Sequence, residues 1–169
     1  MDFNKFDSRA KAETGSPMQI VDEYTGEPMM DGDKPCRVIL RGTASASMQA
    51  KMRAVQKAAM MSKKAKGEDA EEDARVMEDV HDQMCEAAAP FIMGFENVNN
   101  GDKPATAEDA IWFLNLTFPE MGVKKGDDGE PVLNKDGEPA YAMLNNPFAK
   151  QCSEFASNQA NRLGNGKKG

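Results

Sequence analysis

The chain has 169 residues, a net charge of −7 and a mean hydropathy of −0.65, with 29% charged residues. That length suits one domain and is short for two, and the acidic balance argues against a nucleic-acid backbone as partner, because phosphates are bound by Lys and Arg. No apolar run reaches the roughly 18 residues of a membrane span, the opening MDFNKFDSRAK lacks the apolar core of a secretion signal, and three scattered cysteines, Cys36, Cys85 and Cys152, give no disulfide framework and suit a reducing compartment.

In chain order, Met1 to Pro17 carries Phe3 and Phe6 among charged and small residues, read either as anchors onto the main body or as part of a flexible arm, with a short helix over Asn4–Thr14. Met18 to Arg41 reads as two or three antiparallel strands. Met18–Val21 and Cys36–Arg41 are the apolar, β-branched runs, and Tyr24–Pro28 and Asp31–Asp33 are turns. A lone hairpin is marginal in water, so this unit is expected to pack on a helix. Gly42–Lys66 reads as a helix capped by Ser45 or Ser47, with Met48, Met52, Val55 and Ala59 as its buried stripe. Glu68–Ala89 reads as a second helix, acidic at its start, with Met77, Val80, Met84 and Ala88 as its stripe and Pro90 as its stop.

Phe91–Phe95 is short and aromatic-rich and reads as a strand, with its joining the N-terminal sheet left open. Asn99–Asp102 is a turn, and Thr106 with Asp109 forms a near-capping box before a helix whose face carries Ala110, Phe113, Leu114 and Thr117, beside the single Trp112. Met121–Tyr141 is loop-like. Its two near-copies, Gly126–Pro131 and Asn134–Pro139, flank Val132-Leu133 and read as an exposed hairpin or a mobile loop. Tyr24–Pro35 echoes them with another Gly-Glu-Pro, which reads as turn chemistry and not as a repeat. Asn146-Pro147 opens the last helix, with Phe148, Cys152 and Phe155 on its face, and Gly164–Gly169 is too polar and glycine-rich to fold alone.

Catalytic chemistry is sparse. The single histidine, His81, lies one helical turn from Cys85, but further ligands at metal-site spacing are lacking, so a partly buried structural role is expected. Asp127, Asp128, Asn134 and Asp136 fail an EF-hand alignment: placing Gly137 at the loop glycine puts Val132 first and Met143 last. No phosphate-binding glycine loop, GxSxG or HExxH occurs. The thirteen methionines carry more information, because several fall on the two helix stripes. Met side chains fill cores, and they also line adaptable grooves that bind other chains.

Four pieces in order carry a resemblance. FNKFDSRAKAE with TGEPMMDGDKPCRVILRGTAS, the charged helical middle, FIMGFENVNNGDKPATAEDAIWFL, and NNPFAKQCSEFASNQANRLGN together resemble the tail assembly chaperones of long-tailed, siphovirus-like bacteriophages, from about Phe3 to Asn165. The segment Val123–Tyr141 has no counterpart in that pattern, and Phe95 stands where a Trp is more typical. The resemblance implies a non-catalytic protein of the host cytoplasm, without cofactor or metal, that binds and solubilises the tape-measure protein and helps recruit tail-tube subunits. It also implies that Gly166–Lys168 is either an ordinary solvated end or a point where a −1 frameshift appends a second domain. Self-association stays open, and no nucleic acid or membrane is expected as partner. The competing classes are a virion structural protein (tail, neck or head-completion subunit) and an acidic inhibitor of a host nucleic-acid enzyme. The expected fold is α+β and mainly helical, a small N-terminal antiparallel β unit packed on about four helices. Residues 1–163 are expected as one domain and 164–169 as a disordered tail. Met48, Met52, Val55, Met77, Val80, Met84, Trp112, Phe148 and Phe155 are the residues expected to form the core or the client-binding surface.

Overall fold

A computed structural model describes residues 7–54 and 77–158, with side chains from residue 80 in the second stretch. The first helix, α1 (Ser8–Thr14), starts where the Asp7 carboxylate accepts the amides of Arg9 and Ala10, both at 3.0 Å. It ends at Gly15, whose φ of +78° no side chain adopts cheaply. There the chain turns into β1 (Ser16–Gln19), which pairs antiparallel with β4 (Arg37–Leu40). Two two-residue strands, β2 (Met30–Asp31) and β3 (Lys34–Pro35), form a small hairpin between them. A second helix, α2, occupies residues 46–54. Ser45 Oγ caps it by accepting the Met48 amide, and the hydroxyls of Ser45 and Ser47 both donate to the Glu13 carboxylate, which ties α2 to α1.

After the described chain resumes, α3 (Met77–Ala88) runs into a single 3₁₀ turn at Ala89–Phe91, with Pro90 at its start. Next, β5 (Ile92–Glu96) adds to the far side of β4, so the main sheet has the order β1-β4-β5. A hairpin of β6 (Asn99–Asn100) and β7 (Lys103–Pro104) leads to a capping box in which the Thr106 amide and hydroxyl both donate to Asp109. Then come α4 (Ala110–Leu114), the pair β8 (Met121–Val123) and β9 (Tyr141–Met143), and α5 (Phe148–Ser157).

One core joins these pieces. Met18, Ile20, Val38, Leu40 and Ile92 come from the sheet, Cys85 and Ala88 from α3, Phe113 and Leu114 from α4, and Phe148, Ala149, Cys152 and Ala156 from α5. Phe113 stacks on Phe148 with ring centroids 4.7 Å apart and meets the Phe95 ring nearly edge-on at 5.0 Å.

This architecture corrects the mainly helical expectation. Nine short strands in several small antiparallel sheets stand beside five helices among the described residues. The main sheet is also not an N-terminal unit resting on helices, because its third strand, β5, comes from the middle of the chain. The physical reason lies in the prolines. Five of the nine close antiparallel turns: the opposed pairs are Val21 with Pro28, Met30 with Pro35, Asn99 with Pro104, Lys125 with Pro131, and Leu133 with Pro139. In each case the residue after the proline donates its amide to the residue before the turn, as in Ala105 N–H to Val98 O at 2.9 Å. The proline thus sits where its missing N–H would face outward and costs no ladder bond. Each turn also carries one glycine with φ between +60° and +80°.

The Gly-Glu-Pro echo between Tyr24–Pro35 and Gly126–Pro139 is therefore more than turn chemistry. In the first stretch the Met29 amide donates to Ile20 O, Cys36 to Met29 O, and Ile20 to Cys36 O, at 2.9, 2.9 and 3.0 Å, a closed triangle. In the second, Val132 donates to Lys124 O, Ala140 to Val132 O, and Lys124 to Ala140 O, at 2.8, 2.7 and 2.7 Å, the same triangle. The flanking strands match too: Gln19 opposes Arg37 as Val123 opposes Tyr141, and Ser16 opposes Leu40 as Glu120 bonds to Leu144. Residues 16–40 and 120–144 are two copies of one β unit: strand, two proline-closed hairpins, return strand.

Candidate functional site

The two helix stripes were expected as core or as client-binding surface, and the fold splits them. Met48 is buried in the core, whereas Met52, one turn on, is 42% exposed. Val55 lies outside the described residues, as do Ala59 and the basic cluster Lys63, Lys64 and Lys66. On α3 the buried face is His81, Cys85 and Ala88, with Met84 half-buried against the core, while Val80 is exposed. The expected stripe of Met77, Val80, Met84 and Ala88 is thus rotated by one residue at its start. Met77 is helical, but its side chain lies outside the described ones.

The rotation has a polar cause. His81 Nε2 stands 3.0 Å from Asn115 Oδ1, Cys85 Sγ lies 3.5 Å from the same nitrogen, and the imidazole packs on the Phe118 ring at 4.8 Å. With its polar atom partnered and its faces covered, a histidine can turn inward, which a count of apolar residues does not register. His81 is buried, where partial burial was expected. Burial raises the pKa of Cys85, with a further push from Asp82, and burial raises that of Cys152 to about 12, with a further push from Cys85. Both are thiols at neutral pH and are poor nucleophiles. No group of three or more His, Cys, Asp or Glu is arranged to hold a metal among the described residues. Asp128 Oδ1 and Asn134 Oδ1 accept amides of their own turns.

Of the remaining expected residues, Phe148 is core, and Trp112 and Phe155 pack half-buried against it. What the fold does assemble is an apolar groove of about 220 Å³ between α2 and the end of α3, lined by Met48, Met52, Ala87, Pro90 and Phe91. Lys51 and Glu86 also line it. Met52 borders a second, more polar cleft with Thr43, Ala44, Gln49 and Arg53. Pro90 and Phe91 were not foreseen here. Phe91 was expected to open the strand, but the proline holds it in the 3₁₀ turn, and its side chain faces the groove and the core instead.

No helix among the described residues is long and apolar enough to cross a membrane. No family model, curated protein or solved structure matches the chain.

Proposed function

We propose that this chain is a tail assembly chaperone of a long-tailed bacteriophage. In this reading it is a non-catalytic protein of the host cytoplasm that binds the tape-measure protein, keeps it soluble and helps recruit tail-tube subunits. The ordered sequence resemblance supports the reading. The observation that carries it is the apolar groove beside Met52, whose 42% exposure leaves a deformable thioether facing solvent next to Pro90 and Phe91. Such a groove suits the apolar face of a client helix. The task is to shield long apolar helices from aggregation until the tube encloses them, and many weak copies along one client allow release.

Co-expression with the tape-measure protein tests this. The wild-type chain should raise that protein's soluble fraction and co-purify with it. Met52→Asp should abolish both effects while changing folding stability by no more than about 0.5 kcal/mol, as for a half-exposed surface site. Unchanged client solubility with the wild-type chain would count heavily against the reading. A second reading, a virion structural subunit, is favoured by the exposed β8–β9 arm, where Tyr141 is 72% and Leu133 58% exposed. Mass spectrometry of purified virions separates the two: stoichiometric peptides from this chain support the structural subunit, and their absence supports the chaperone.

A further inference from the structure

The two copies of the β unit differ at one edge. In the first, the ladder between β1 and β4 uses the pairs Met18–Val38 and Ile20–Cys36, so the backbone groups of Arg37 and Ile39 face the other way. There they meet Glu96 and Gly94 of β5. In the second copy the bonds Lys124 N–H to Ala140 O and Leu144 N–H to Glu120 O set the same alternation. The equivalent backbone groups, those of Tyr141 and Met143, therefore face away from β8, and no third strand pairs with β9 among the described residues.

The side chains beside that edge are unlike those of a strand meant for solvent. Exposed edges are usually blunted with charge or proline, and Pro139 does this only at the entry to β9. Here Met121, Val123, Tyr141 and Met143 share one face, where the first copy has Pro17, Gln19, Arg37 and Ile39. Tyr141 and Met121 are 72% and 45% exposed. Around this apolar face the arm is acidic: within residues 120–144, six Asp and Glu stand against three Lys.

We infer that β9 is a docking edge that takes one antiparallel strand from a different protein, as β4 takes β5. That strand alternates apolar residues with small ones and carries Lys or Arg at its ends. Main-chain hydrogen bonds supply the affinity and the apolar face supplies the selection, which is strand addition to an open sheet edge. A second copy of this chain is the poorer occupant. Its own net charge of −7 opposes the approach of an equally acidic partner. The inference concerns a surface separate from the Met52 groove and holds whether or not the client there is a tape-measure protein.

The test uses the full-length, isotope-labelled protein and a synthetic peptide in which valines alternate with alanines between pairs of lysines. The amides of Tyr141 and Met143 should shift on titration and gain exchange protection, while that of Ala142, already bonded to Gly122, should change little. Met143→Pro removes an outward-facing N–H and leaves the β8 ladder intact. It should weaken binding at least tenfold with an unchanged melting temperature. The same peptide flanked by glutamates should also bind at least tenfold more weakly. The inference is overturned if millimolar peptide leaves Tyr141 and Met143 unmoved, if the shifts map elsewhere, or if Met143→Pro binds as well as wild type. It is equally overturned if sedimentation shows a wild-type dimer that Met143→Pro abolishes, since the occupant would then be a second copy.

Discussion

Residues 16–40 and 120–144 follow the same path of strand, two proline-closed hairpins and return strand, yet the first copy is built into the core and the second projects from it. The inward positions explain the difference. Met18, Ile20, Val38 and Leu40 are all buried. Their counterparts are Gly122, Lys124, Ala142 and Leu144, which offer little apolar volume and a charge, and Leu144 is 51% exposed. Burying a Val, Leu, Ile or Met side chain is worth about 1.5–3 kcal/mol, so the first copy gains several such terms that the second lacks.

Polar anchoring follows the same division. Gln151, buried on α5, accepts the Val21 amide and donates to Val21 O, and Gln19 Nε2 donates at 3.0, 2.9 and 3.1 Å to the three carbonyls of the first triangle, Ile20, Met29 and Cys36. Val123 stands where Gln19 would be in the second copy. Among the described residues, that copy is anchored at its base: Asn145 donates to Glu23 and to Phe118 O and accepts the Glu120 amide, and Tyr24 Oη–H donates to Glu120. Hairpin wiring is a local property of the proline and glycine turns; whether the hairpin becomes core or arm depends on the side chains of one face. The same wiring can therefore serve stability in one place and leave a surface open in another.

The comparison can be broken most sharply at its matched leucines. Leu40→Ala should cost about 2–5 kcal/mol in chemical denaturation, since Leu40 is fully buried. Leu144→Ala should cost no more than about 0.5 kcal/mol, and comparable losses at the two sites would mean that the arm is as well packed as the core. Next in size is Gln151→Ala, which removes the partner of the Val21 amide and carbonyl and also a donor to Asn146 O at 2.8 Å. It should cost about 1 kcal/mol by leaving half-buried backbone groups without their side-chain partner. Amide exchange should report faster opening of residues 20–36 and none of 124–140.

Exchanging the axial residues is a finer test. Gln19→Val should destabilise by about 1 kcal/mol, because each carbonyl keeps its backbone donor and loses only the shared side-chain one. The reciprocal Val123→Gln should be neutral or stabilising, with slower exchange confined to the arm. The smallest effect lies in the first turn. Amides of Thr25 and then Tyr24, with the Thr25 hydroxyl, donate to the Asp22 carboxylate and hold its pKa below the ordinary aspartate range. A depressed folded-state pKa contributes stability that is fully present above the unfolded value near 3.9 and disappears as the pH falls through the folded one. Asp22→Asn should lower stability slightly near neutrality and flatten the stability–pH curve below about pH 4, where the wild-type contribution is already lost.

The sequence alone determined the local punctuation, because caps and turns are set by residues a few positions apart. The cap at Ser45, the box at Thr106 and Asp109, the stop at Pro90, and the buried face of Ala110, Phe113, Leu114 and Thr117 all stand as read. Phe91–Phe95 was nearly right: the strand is Ile92–Glu96, displaced by one residue because Pro90 draws Phe91 into the preceding turn. Tertiary structure decided what depends on residues far apart in the chain. It settled the pairing of β5 with β4, which the sequence had left open. It turned His81 inward by supplying Asn115 from the turn that ends α4, left Met52 and Val80 exposed while burying Met48, and paired the two Gly-Glu-Pro regions as copies of one unit. A strand or stripe shows its apolar character locally. Which of its faces loses contact with water depends on what long-range packing places against it, and that is why the sheet, the groove and the open edge of β9 were not legible in the order of residues.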